Sequence, residues 1–209
     1  MSLIRQSGHS LAWQIGGFLA MAVSGMVTAR WLGPADRGLL AAVYLYLQLA
    51  SSLGTLSLTG AIFHRLGQRE RTLEEFAGTL AWASAGLGVA ALGLTLALLR
   101  SGGDSWHRGI PWSILVLALL PLPCLFAMTY FSTLLRGVMD IRWYNLSNHG
   151  PKLLSLGVVL ALAAVGRLRV WDLVVLGTAS TIVTGVIPAW RMRRYAPRPW
   201  RFRSDLLRL

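Results

Sequence analysis

The chain reads as an all-α integral membrane protein, a bundle of six transmembrane helices, on three observations. Hydrophobic residues make up 55% of it and charged residues only 13%, about half the roughly 25% typical of soluble domains. Uncharged apolar runs of about twenty residues recur along the chain, the length a helix needs to cross a bilayer. Basic residues gather at the ends of those runs, as do Trp31, Trp106, Trp112, Trp143, Trp171 and Trp190, in the manner of an interfacial aromatic belt.

The first run is Leu11 to Ala29, after a short polar start that includes Arg5. Val27-Thr28-Ala29 resembles a signal-peptidase site, but the run exceeds the roughly 7–15 residues of a signal core and further runs follow it. The segment Leu32-Gly33-Pro34 then predicts a tight turn: Pro34 cannot prolong the first helix, and Gly33 tolerates positive φ. A second span follows over 38–63, free of formal charge until His64 and Arg65.

The third span covers 76–99, with Gly78, Ala81, Ala85 and Gly88 small enough for close helix packing. The fourth covers 110–135 and carries Pro121 and Pro123 in its middle, which predict a bend and freed carbonyls that neighbours must satisfy. The fifth must run over 144–165, because Leu153 to Val165 alone is too short, and it takes Lys152 inside. The sixth covers 170–190, and Arg191, Arg193 and Arg194 close the membrane region. Residues 1–194 thus form one six-helix lobe, and 195–209 a basic tail in which Ser204 could cap a further helix.

With the N-terminus in the cytoplasm, fourteen of the twenty Lys and Arg residues fall inside and six outside. Both termini are therefore expected to be cytoplasmic. The net charge of +12 follows this membrane pattern and forms no basic stripe interleaved with aromatics, so nucleic acid is not an expected partner. The single cysteine, Cys124, excludes an internal disulfide and reads as a small apolar residue. The four histidines lack ligand spacing, and no nucleophile–base set or phosphate loop occurs, so neither metal, cofactor nor catalysis is expected.

Function in a membrane shows as polar residues on a shared helical face. In the second span Tyr44, Gln48, Ser51, Thr55 and Thr59 recur at spacings of three and four. They read either as interhelical hydrogen bonding or as the wall of a hydrated cavity. In the fifth, Asn145, Asn148, Lys152 and Ser155 follow the same spacing, with His149 and Pro151 alongside. Lys152 either snorkels to the interface or presents a cation to an anionic substrate. Gly177, Thr181, Thr184 and Pro188 form a milder stripe read as packing. Arg30 and Arg136 are interfacial anchors or phosphate ligands. Asp172 either pairs with Arg169 or serves as an ion-coupling group.

Ala29-Arg30-Trp31-Leu32-Gly33-Pro34 with Arg37-Gly38-Leu39, then Leu134-Leu135-Arg136-Gly137 and a polar-started helix at Tyr144-Asn145, resemble the polysaccharide transporters. These include O-antigen and other lipid-linked oligosaccharide flippases of the multidrug/oligosaccharidyl-lipid/polysaccharide (MATE-like) superfamily. The resemblance implies a bacterial inner-membrane protein that moves an undecaprenyl-pyrophosphate-linked glycan by alternating access between two six-helix lobes. This chain resembles the N-terminal lobe alone: a fragment, a partner of a second lobe, or half of a homodimer. A tail that stops at the start of an amphipathic helix favours the first. Arg30, Gln48, Asn145, Asn148 and Lys152 are the expected glycan and pyrophosphate contacts. Two alternatives stand beside it: a small-molecule or multidrug antiporter of the same fold, and a non-transporting membrane scaffold subunit.

Overall fold

The computed structural model describes residues 3–55, 73–103 and 109–196. Among them the chain is entirely helical: α1 Leu3–Trp31, α2 Pro34–Thr55, α3 Leu73–Ser101, α4 Trp112–Leu119, α5 Leu122–Gly137, α6 Ile141–Ala164 and α7 Val170–Met192. Four stretches are long and apolar enough to cross a membrane: Gly8–Trp31, Phe76–Ser101, Trp112–Gly137 and Val170–Met192. The protein is a multi-pass, all-α membrane protein. α2 and α6 are not among the four; α6 carries Arg142, Asn145, Asn148, His149 and Lys152. The second expected span beyond Thr55, including Thr59, and the cap at Ser204 lie outside the described residues.

The turn between α1 and α2 takes two residues, and Pro34 opens α2, where its missing N–H costs nothing. Gly33 does not adopt positive φ; Gly103, Gly109 and Gly166 are the described glycines that do. A residue ahead of proline is pushed toward extended backbone, so the turn needs no left-handed residue. Gly166, at φ +68°, ends α6 in a Schellman turn, its N–H on Ala163 O and that of Arg167 on Leu162 O, both at 3.0 Å.

The expected bend at the paired prolines is a break. α4 stops at Leu119, Pro121 sits at ψ 5°, and α5 restarts at Leu122. Pro121 has no N–H to give the Leu117 carbonyl one turn back. Thr178 of α7 supplies the donor instead, its Oγ1 lying 3.0 Å from Leu117 O. In a bilayer such a carbonyl has no water to turn to, so the hydroxyl from a neighbouring helix stands in for the missing rung.

α5 is packed between α3 and α7, while α1 lies chiefly along α6. Two glycines set the first arrangement. A Cβ at Gly88 of α3 would overlap the Pro123 backbone, and one at Gly185 of α7 would overlap the Cys124 carbonyl. Backbone therefore lies on backbone on both sides of α5. The core is correspondingly split at the break. One cluster joins Val43, Leu115, Leu119, Leu122 and Leu173; the other joins Phe76, Phe126, Phe131, Leu135 and Met192.

This packing predicts an asymmetry among the glycines. Gly185→Val should lower stability by about 1–3 kcal/mol through overpacking, whereas Gly86→Val, which faces open space, should be close to neutral. Thermal unfolding in detergent, with equal losses for both variants as the contrary result, checks it.

Candidate functional site

A cavity of about 390 Å³ opens between α1, α2, the α4–α5 break, α6 and α7. α1 contributes Ser24, Gly25 and Thr28; α6 contributes Lys152, Ser155 and Val159. From α7 come Gly177, Thr178, Ser180 and Thr181, and Pro121 forms part of the wall. Gly177 matters sterically, because a Cβ there would come 3.0 Å from the Tyr44 hydroxyl. The tyrosine of α2 thus spans the cavity to α7. Lys152 is the one cationic side chain in the described lining, no carboxylate joins it, and it has no hydrogen-bond or ion-pair partner among the described residues.

Of the candidates read from the sequence, Tyr44 and Lys152 meet in this cavity, together with Ser155, Gly177 and Thr181. The cavity-lining stripe of α2 is Leu40, Val43, Tyr44 and Leu47. Gln48 and Ser51 lie outside it; Gln48 is exposed, and Ser51 Oγ donates to the Gln48 carbonyl at 2.8 Å. The side chain of Thr55 lies outside the described residues. Arg30 is exposed in the last turn of α1, away from the cavity. Asn148 donates from Nδ2 to the Tyr144 carbonyl at 2.9 Å, within its own helix.

Asn145 is fully buried and accepts from Ser10 Oγ at 3.3 Å, a contact between α6 and α1. Asp172 is not among the described lining residues of the cavity. Its Oδ2 accepts the Arg169 backbone N–H at 3.2 Å, closing the first turn of α7. The pairing expected with Arg169 is thus to its backbone, which a carboxylate at a helix N-terminus satisfies naturally.

The polar stripes divide on one physical point. A hydroxyl can back-bond to a carbonyl of its own helix, and then it needs neither water nor a neighbour. Thr181 does so to Gly177 O at 2.8 Å, and Thr184 to Ser180 O at 3.0 Å. Thr178 is the α7 hydroxyl that reaches another helix.

Asp140, in the turn after α5, is the centre of a clasp. Arg191 Nε donates to Asp140 Oδ2 at 2.9 Å, and the Tyr195 hydroxyl donates to the same oxygen at 2.8 Å. The Arg191 guanidinium lies 5.0 Å from the Trp143 ring centroid and 5.7 Å from that of Tyr195. Trp143 in turn meets Trp190 edge-on at 5.9 Å. The clasp ties the α5–α6 turn to the end of α7. That turn places Met139 at φ 60°, a conformation costing a non-glycine residue about 1–2 kcal/mol. The sequence did hold one signal: Asp140 is a lone acid between Arg136 and Arg142.

A second crevice of about 380 Å³ lies between α3, α5 and α7, where Cys124 lines an apolar wall closed by Trp190 and Arg193. The thiol is half-buried and free. No group of three or more His, Cys, Asp or Glu side chains that could hold a metal occurs among the described residues. No family model, no curated protein and no solved structure matches the chain. Fold and cavity define a class, a multi-pass helical membrane protein with a pocket whose described lining carries a cation and no acid.

The clasp carries a pH dependence. Its hydrogen bond to the Asp140 carboxylate holds the Tyr195 phenol above the ordinary value of 10.0. A pKa raised on folding adds stability that is complete below the unfolded value and is lost as pH rises through the folded one. Asp140→Asn should therefore lower the phenolate titration midpoint of Tyr195, read as the ultraviolet difference against Tyr195→Phe. It should also cost about 1–3 kcal/mol in unfolding. An unchanged titration would show the contact to be absent in solution.

Proposed function

We propose that this chain is one six-helix lobe of a flippase that moves a lipid-linked oligosaccharide, of the undecaprenyl-pyrophosphate type, across a bacterial cytoplasmic membrane by alternating access. The observation that carries the reading is the cavity beside Pro121: among its described lining residues, one cation, Lys152, sits with hydroxyls and apolar walls and no carboxylate. An ammonium without a counter-ion favours an anionic ligand, and hydroxyls from Ser24 and Tyr44 suit sugar or phosphate oxygens. α2 and α6 count as the two remaining spans, with both termini cytoplasmic. The clustering of Arg191, Arg193 and Arg194 around the Asp140 end supports that orientation. A second lobe, on the same polypeptide, a separate one or a second copy, would wall the other side.

A multidrug antiporter for cationic compounds needs a buried acid where the drug binds, and this lining offers none. A scaffold without transport needs no unpaired cation in a cavity at all. In the complete transporter, Lys152→Ala should reduce glycan export about tenfold or more, the worth of one hydrogen bond to a charged group. Lys152→Arg should retain part of it, with membrane insertion equal in both. Export unaffected by Lys152→Ala would mean that the ammonium only snorkels to the interface.

A further inference from the structure

α1 and α6 run parallel, and their contact changes character along its length. Near the start, Ser10 Oγ meets Asn145 Oδ1 at 3.3 Å. Two turns on, Gly17 lies against the imidazole of His149, so closely that a Cβ there would fall 2.6 Å from Nδ1. Further along, both helices line the cavity, α1 with Ser24 and α6 with Lys152 and Ser155. His149 thus packs on α1 one turn before the cavity residue Lys152.

Two buried nitrogens at this seam have no partner: His149 Nδ1 and the Nδ2 of the fully buried Asn145, one turn away. The surroundings decide the protonation state of the histidine. A neutral ring carrying its proton on Nε2 leaves Nδ1 as a bare acceptor against glycine. An imidazolium would bury an N–H donor with nothing to receive it, and leaving a charged donor unsatisfied costs more. It would also stand one turn from the Lys152 ammonium on the same face.

No other charge relieves this. From Ser10 to Ala29, α1 has no titratable side chain, and His9 is engaged by Trp13 Nε1 at 3.0 Å. α7 has none from Leu173 to Trp190; α5 has Cys124, Tyr130 and, at its end, Arg136. The closed seam thus accepts only neutral His149. By linkage, a proton on His149 must favour a seam that is open. Water entering there would satisfy both Nδ1–H and Asn145 Nδ2.

We propose that His149 is a proton-binding site that couples protonation to the parting of α1 from α6, and so to the width of the cavity beside Lys152. Its use as the coupling step of transport, with the proton as driving ion, rests on the flippase reading; the proton-dependent parting does not.

The test needs no substrate. The full chain, carrying Cys124→Ser with Phe18→Cys and Leu154→Cys on exposed faces of the two helices, is spin-labelled and placed in phosphatidylcholine–phosphatidylglycerol nanodiscs. Distance distributions are then compared at about pH 8 and about pH 5, the window in which histidine changes charge. Acidification should shift the wild-type seam reversibly to longer distances. His149→Gln should hold the short distance at both pH values, and Gly17→Ala should hold the long one at both. A pH-independent distance in the wild-type seam overturns the proposal, as does an undiminished shift in His149→Gln. Loss of pH-driven export in His149→Gln, measured separately, addresses the coupling role; a failure of the glycan reading leaves the distance result standing.

Discussion

The contact on which the rest of this bundle depends is backbone against backbone at the α4–α5 break. Pro123 and Cys124 enter grooves that exist only because Gly88 and Gly185 have no side chains. In lipid there is little hydrophobic gain from bringing two apolar helices together, so dispersion between closely fitted surfaces and the hydrogen bonds it permits must do so. Those close approaches fix α5 between α3 and α7 and bring Thr178 within reach of Leu117 O. The hydrogen bond and the fit are therefore one device. Without the close approach the hydroxyl would be too far away, and without the hydroxyl the Pro121 break would leave a bare carbonyl beside the cavity.

From that pinned centre the two sides of the molecule differ. On the α3–α5–α7 side, glycine contacts, a continuous apolar cluster from Phe76 to Met192 and the Asp140 clasp hold the elements at several depths. On the α1–α6 side, the seam relies on Ser10, Asn145, Gly17 and His149, and two of its nitrogens are unsatisfied. α1 scarcely touches α2 beyond the turn that joins them. The buried polar atoms without a partner among the described residues are the Tyr130 hydroxyl on the first side and the two nitrogens on the second. The cavity lies on that side.

Much of this architecture was legible in the sequence. Charge-free runs bounded by arginines, and Pro34 after Leu32-Gly33, mark the helix ends, since a helix that enters lipid must satisfy its own backbone. Pro121 and Pro123 foretell a bend with freed carbonyls, and the i−4 rule points to Leu117 O as one of them. What spacing alone does not contain is the donor, Thr178, which arrives from a helix 61 residues away. The polar stripes were legible only in part, because periodicity places residues on a face but does not say whether each hydroxyl turns back to its own helix. Ser51 and Thr181 both do, yet Thr181 lines the cavity and Ser51 does not. Asp140 was harder still: its role depends on the tight turn after α5 and on Arg191 arriving from α7.

Lys152 brings these threads together. With α6 as a span, as proposed, its ammonium would cost roughly 2.5–3.5 kcal/mol even when the chain can adapt around it, and no counter-charge among the described residues offsets that cost. Snorkelling would relieve it if the side chain ran out along α6 to the interface. Lys152 is exposed and also lines the cavity that holds the buried Pro121 and the hydroxyls of Ser24 and Thr181. Water or an anion must then supply the missing interactions, and an anion supplies the larger share because the cavity walls are mostly apolar and screen the attraction poorly. A lone cation held this way is costly when the cavity is empty and well matched when an anionic ligand fills it. On the flippase proposal, that difference in free energy between the two states is what would let the carrier close around its cargo.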